Sequence, residues 1–84
     1  MDTSSIGRTI RHYRLRAGLT QVELGYRSGI PGNTVARIER GLHLPRVGTL
    51  LSLAAGLGIY PDLLLRDGVH ADTKKVGKKR EKSA

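Results

Sequence analysis

The stretch that decides the fold is residues 21–40, QVELGYRSGIPGNTVARIER. Its apolar side chains recur at helical spacing on both sides of a central glycine, Gly29. A residue without Cβ adopts positive φ at no steric cost, so Gly29 predicts a tight turn. Gly25 removes bulk where the inner face of the first helix would meet the second. The stretch therefore predicts two short amphipathic helices packed against each other, with these residues facing inward: Leu24, Ile30, Val35 and Ile38.

Two short helices joined by a glycine-marked turn have the layout of the helix-turn-helix motif. In that motif the second helix lies in the major groove of DNA and contacts base edges. A pattern this short also occurs by chance in unrelated proteins. The interpretation therefore depends on the remainder of the chain.

Three further helices are predicted around this motif. Before it, a helical stripe of apolar side chains ends at Gly18, and Thr20 and Glu23 have the T-x-x-E spacing of a capping box. After it, an apolar segment ends at Gly58, and Pro61 is suited to the first turn of a last helix. Short helices with short connections and no convincing strand pattern predict an all-α, compact five-helix bundle over residues 1–66.

The amino-acid composition argues against several kinds of catalytic and metal site. A chain of 84 residues forms one domain with a small core, which makes dimerisation favourable. The absence of cysteine excludes disulfides and thiolate metal sites, and His12, His43 and His70 are far apart in sequence. No nucleophile with a base, paired carboxylates or phosphate-binding loop is visible. We therefore expect a protein that is not an enzyme and that has neither a cofactor nor a metal.

No apolar stretch approaches the roughly 18 residues of a membrane span, and the polar N-terminus does not resemble a signal peptide. The sequence therefore predicts a cytoplasmic protein with no membrane partner, and DNA binding by the motif above would make it nucleoid-associated.

The basic charge is concentrated toward the C-terminus. Formal net charge is +8, and residues 67–84 contain the run KKVGKKREKS with almost no apolar side chains. Such a segment cannot bury enough surface to order itself, so a disordered basic tail is predicted. It acts either as a solubilising terminus or through sequence-independent attraction to phosphates. Membrane-surface binding is less favoured, because the tail has no amphipathic apolar stripe.

Residues 6–65 resemble the Xre family, the helix-turn-helix domain of phage repressor and Cro type. Three separated motifs in the family's order carry the resemblance: IGRTIRHYRLRAGLTQVEL, SGIPGNTVARIERG and LPRVGTLLSLAAGLGIYPDLL. The resemblance implies the lambda-repressor-like bundle and a DNA-binding function. Several motifs in order are far more specific than the turn alone.

The resemblance also assigns roles to individual residues. Gly32, Asn33 and Arg37 match the outward positions of the recognition helix that contact bases. Asn suits bidentate pairing with adenine and Arg suits guanine O6 and N7, whereas Gly32 has no side chain to offer. Phosphate contacts are predicted for the glutamine at the start of the second helix and for four residues in and after the recognition helix. They are Gln21, Thr34, Arg40, His43 and Arg46.

Two further features follow from the same alignment of motifs. Arg14 and Glu39 match a structural salt bridge between the first and third helices. Where the family commonly has a Ser or Thr cap on the recognition helix, this chain has Ile30, Pro31 and Gly32. The first turn of that helix is therefore predicted to lack a side-chain cap.

The predicted function is a sequence-specific double-stranded DNA-binding transcriptional regulator, with repression by operator occupancy as the default. A single motif offers few contacts, so we expect a homodimer. The last two helices have more leucines than one small core can bury, which predicts an interface. Its predicted residues are Leu51, Leu63, Leu64 and Leu65.

Alternatives of other classes are open at this point. An antitoxin would use its surface or tail to neutralise a toxin, and a coactivator-like adaptor would bind other proteins through the same bundle. Activation by contact with RNA polymerase is a further alternative. Small controller proteins of restriction-modification systems act in that way, and this chain resembles them in length.

Overall fold

The computed structural model describes residues 3–68, with side chains described over residues 5–65. This range is entirely helical between its turns and contains no strand, which confirms the all-α prediction. The five helices are α1 (Thr3–Arg16), α2 (Gln21–Ser28), α3 (Gly32–Glu39), α4 (Val47–Leu57) and α5 (Pro61–Gly68). Residues 67 and 68, assigned to the tail in the sequence analysis, are thus the last two of α5. Residues 69–84, the remainder of the predicted tail, lie outside the described residues.

The start of α2 is fixed by the predicted capping box. The Thr20 hydroxyl oxygen accepts a hydrogen bond from the backbone N–H of Glu23 at 3.0 Å. The backbone N–H of Thr20 donates to Glu23 Oε1 at 2.8 Å. These bonds satisfy two N–H groups that have no partner within the helix. The N–H of Thr20 favours the ionised carboxylate and so holds the pKa of Glu23 below its usual value.

The turn between α2 and α3 confirms both glycine predictions. Gly29 has φ of 71°, in the left-handed region that side chains with Cβ rarely adopt. At Gly25 a Cβ atom would collide with the carbonyl oxygen of Ile30 and lie 3.1 Å from the backbone nitrogen of Gly32. Pro31 precedes α3 without a side-chain capping bond, as predicted. The two helices therefore approach more closely than a side chain at residue 25 would allow.

The hydrophobic core includes the inner faces of α2 and α3. Leu24, Val35 and Ile38 are fully buried, and Ile30 packs against them half-buried. Helix α3 packs on α1 and α2, while α4 packs on α2 and α5. Buried side chains from the other helices complete the cluster: Ile6, Ile10, Leu50, Leu53, Ala54, Leu57 and Leu64. The pair α2–α3 therefore lies on a scaffold of α1, α4 and α5.

The structure corrects the predicted dimer surface at Leu64. This side chain is fully buried in the core, so its assignment to an interface with a second copy was wrong. Successive residues of a helix point about 100° apart, so three consecutive leucines cannot share one face. Leu63 is half-buried and Leu65 is exposed, as is Leu51 on α4.

We predict that Gly25→Ala lowers the free energy of unfolding by about 1 to 3 kcal/mol, because the new methyl group would collide with the backbone of the turn. Gly48→Ala is the matched control, since a Cβ atom at this α4 position would meet nothing within 4 Å. That change is expected to be neutral or to stabilise the protein by up to about 1 kcal/mol. Urea denaturation followed by circular dichroism measures both. Equal stability of the two variants would contradict the predicted close approach.

Candidate nucleic-acid interface

Helix α3 presents a polar face to solvent. Asn33 and Arg37 are four residues apart and exposed, and Arg40 follows at the next helical repeat, also exposed. The opposite face carries Val35 and Ile38, which the core buries completely. Residues three or four apart lie on one side of a helix, so the three side chains form one outward row. The predicted base-contact residues 33 and 37 therefore lie together at the surface.

Gly32 has different surroundings from Asn33 and Arg37, the other two predicted base-contact residues. Gly32 is half-buried, and a Cβ atom there would lie 3.1 Å from both Cα and Cγ2 of Val22 on α2. Its missing side chain would thus point toward α2. Close helix packing explains the glycine at this position, and of the three predicted base-contact residues only Asn33 and Arg37 have exposed side chains.

Three more of the predicted phosphate contacts lie in the first turn of α3 or in the segment after it. Thr34 is half-buried in the first turn of α3, where its backbone N–H donates to the Pro31 carbonyl oxygen at 3.0 Å. His43 and Arg46 are exposed in the segment between α3 and α4, and Arg46 directly precedes α4. Thr34 is therefore at the start of α3, and His43 and Arg46 follow its end.

Arg14 and Glu39 form a buried ion pair between α1 and α3. Arg14 Nε donates to Glu39 Oε2 at 2.6 Å, and Arg14 Nη2 donates to Oε1 at 3.0 Å. Arg14 Nη1 donates to the carbonyl oxygen of Leu19 at 2.8 Å, and this bond connects α1 to the turn that follows it. The hydrogen bonds to Glu39 raise the pKa of Arg14. Both residues are less than a tenth exposed, so their charges are withdrawn from solvent.

Gln21 belongs to the same network. Its side-chain amide Nε2 donates to Glu39 Oε1 at 3.1 Å, and the residue is half-buried. Glu39 thus links the start of α2 to both α1 and α3. A primary amide carries two N–H donors, so one donor of Gln21 is not used by this bond. The sequence analysis predicted a phosphate contact for Gln21 and did not predict its bond to Glu39.

An open concavity of about 700 Å³ lies where α1, α2 and α3 meet. It brings two predicted phosphate contacts, Gln21 and Arg40, together with Arg11, which the sequence analysis missed. Arg11 lies three residues before Arg14 on α1, and that spacing is the signal that would have placed it on the same face. The full lining is Arg11, Arg14, Leu15, Gly18, Leu19, Thr20, Gln21, Glu39 and Arg40.

Over the described part of the chain, no group of three or more His, Cys, Asp or Glu side chains could hold a metal ion. None of the helices between residues 3 and 68 is long and apolar enough to cross a membrane.

Comparison with known proteins identifies the family. A family profile described as helix-turn-helix domain matches residues 5–66. The restriction-modification controller protein C.AhdI from Aeromonas hydrophila is 33% identical, over 75% of this chain and 96% of its own, with a TM-score of 0.73. The clp gene regulator ClgR from C. glutamicum is 22% identical, over 86% and 94% of the two chains, with a TM-score of 0.77. No curated protein matches the chain. The chain therefore belongs to the helix-turn-helix domain family, in its Xre type.

Proposed function

We propose that this protein is a sequence-specific double-stranded DNA-binding transcriptional regulator that inserts α3 into the major groove. The observation that carries the proposal is the exposed pair Asn33 and Arg37, one turn apart on a helix whose other side is core. An amide of this kind pairs with adenine N6 and N7, and a guanidinium pairs with guanine O6 and N7. Two side chains with base-reading chemistry thus lie where the motif contacts DNA.

Phosphate contacts on both sides of α3 would set its orientation in the groove. Gln21 lies at the start of α2, while Arg40, His43 and Arg46 follow the end of α3. Such contacts fix register and carry no sequence information, so they complement the base contacts. Thr34 supplies a hydroxyl in the first turn of α3.

The similarity to two regulators supports a role in transcription. C.AhdI is a restriction-modification controller protein, and this chain is 33% identical to it in sequence over nearly the whole of that protein. We propose that the protein is not an enzyme and acts in the cytoplasm, at the nucleoid, by occupying an operator near a promoter. Repression is the simplest consequence of such occupancy. Enrichment of one motif from a pool of random duplexes tests the proposal, and an unenriched pool contradicts it.

We further propose that the protein binds as a homodimer through α4 and α5. Leu51 and Leu65 are exposed on these helices, and Leu63 of α5 is half-buried. Apolar side chains in this position gain free energy when a second copy covers them. Twofold symmetry would place two half-sites about one helical turn of DNA apart, roughly 34 to 36 Å.

The dimer proposal predicts that Leu65→Glu gives a folded monomer with weak operator binding, because a charge would be buried against its symmetry mate. Tyr26→Glu is the control, since Tyr26 is an exposed side chain on α2 that lies outside both the proposed interface and the lining of the concavity. Sedimentation velocity and circular dichroism measure association and folding. A dimer of unchanged stability in Leu65→Glu would rule out this interface.

A further inference from the structure

Val22 of α2 lies against the first residue of the recognition helix. That residue is Gly32, and a Cβ atom there would lie 3.1 Å from both Cα and Cγ2 of Val22. This separation is shorter than the best contact distance between two carbon atoms, so a larger residue at position 32 would push against Val22. A valine methyl group from α2 therefore lies beside the position where the sequence analysis predicted a base contact.

The Val22 side chain is also open to solvent. It is 70% exposed, although valine is among the residues that proteins most often bury. It has two methyl groups and no atom that can form a hydrogen bond, so it can offer a nucleic acid only an apolar contact. In the major groove the apolar group that distinguishes one base from the others is the C5-methyl of thymine.

Two neighbours place Val22 near DNA under the proposed function. Gln21, which precedes it at the start of α2, is a proposed phosphate contact. Gly32 begins α3, and the N-terminal residues of a recognition helix contact base edges. Both neighbours thus lie on the side of the motif that would face the duplex.

We infer that Val22 contacts the C5-methyl group of a thymine and so supplies, from α2, a base preference that Gly32 has no side chain to provide. The inference rests on the proposed function and deepens it. It makes Val22 a specificity-determining residue outside the recognition helix. Asn33 and Arg37 would recognise bases by hydrogen bonds, whereas Val22 would recognise a methyl group.

Coupling between the valine methyl groups and the thymine methyl group tests this inference. Each thymine of the selected duplex is replaced, one at a time, by deoxyuridine, which lacks only the C5-methyl group. Fluorescence anisotropy measures the affinities of the parent protein, Val22→Ala and Val47→Ala. Val47→Ala is the matched control, since Val47 is also a 70% exposed valine and lies at the start of α4, outside α2 and α3.

At the contacted thymine, deoxyuridine is expected to weaken binding by the parent protein and by Val47→Ala about fourfold, the effect of no longer burying one methyl group. For Val22→Ala the same replacement should have a clearly smaller effect, because the alanine methyl is too short to maintain the contact. Val22→Ile keeps a branched apolar side chain and should respond like the parent protein. A purely structural role of Val22 would instead weaken binding to the thymine and deoxyuridine duplexes equally.

Two results would overturn the inference while leaving the proposed function intact. One is a selected sequence without thymine, and the other is an equal response of Val22→Ala and Val47→Ala at every thymine. A parent protein that prefers no duplex would contradict the proposed function, and this inference with it. Circular dichroism checks that each variant is folded.

Discussion

Glu39→Ala is expected to lower the free energy of unfolding by about 3 to 5 kcal/mol. The change leaves the guanidinium of Arg14 buried without its carboxylate partner, and it removes the acceptor of the Gln21 side chain. Transferring a charge out of water costs several kcal/mol unless a partner compensates for it. Urea denaturation monitored by circular dichroism measures the loss. A cost below about 1 kcal/mol, typical of an exposed ion pair, would show that the pair is solvated.

The double variant Arg14→Met with Glu39→Met separates the stranded charge from the loss of attraction. Replacing both partners with apolar side chains of similar length removes the buried charges together. We therefore expect this variant to be much more stable than Glu39→Ala. If it is equally unstable, the ion pair itself, and not a stranded Arg14, contributes the stability.

The second large effect is expected at the recognition helix. Asn33→Ala with Arg37→Ala should reduce the affinity for the selected duplex to near that for random DNA. Each bidentate base contact contributes about 1 to 3 kcal/mol of discrimination, so two contacts correspond to about 30-fold to 10⁴-fold. Both side chains are exposed, so the fold is expected to persist. Fluorescence anisotropy with labelled duplexes measures the affinities.

Arg16→Ala provides the control for this experiment, because it removes the same charge from an exposed site on α1. It should lower the affinity for selected and random duplexes by the same small factor. If the double variant discriminates between the two duplexes as well as the parent protein does, α3 does not read the sequence.

Local chemistry made much of the fold predictable. The capping box at Thr20 and the turn at Gly29 depend on residues close in sequence, and both occur as predicted. The burial of Leu64, in contrast, could not be predicted from local sequence. Three consecutive leucines in α5 leave open which one faces inward, because that depends on how α5 packs against α1 and α4. The structure buries Leu64 and exposes Leu65.

Some features of the candidate site also follow from local sequence, and others depend on how the helices pack. Val35 and Ile38 fix the inner face of α3, so the outward positions of Asn33 and Arg37 follow from helical periodicity. Helical spacing places Arg11 on the same face of α1 as Arg14, but its proximity to Gln21 and Arg40 depends on the meeting of three helices, which no local pattern encodes. The shared concavity and the bond between Gln21 and Glu39 could therefore be found only in the folded protein.

We propose that α3 recognises DNA sequence in a dimer. The decisive experiment is selection of bound duplexes from a random pool at near-physiological salt, with the Asn33→Ala, Arg37→Ala variant selected in parallel. We predict that the parent protein enriches an inverted repeat whose half-sites lie about one helical turn apart, and that the variant enriches none. A folded parent protein that enriches no sequence, or a variant that enriches the same repeat, would contradict the claim.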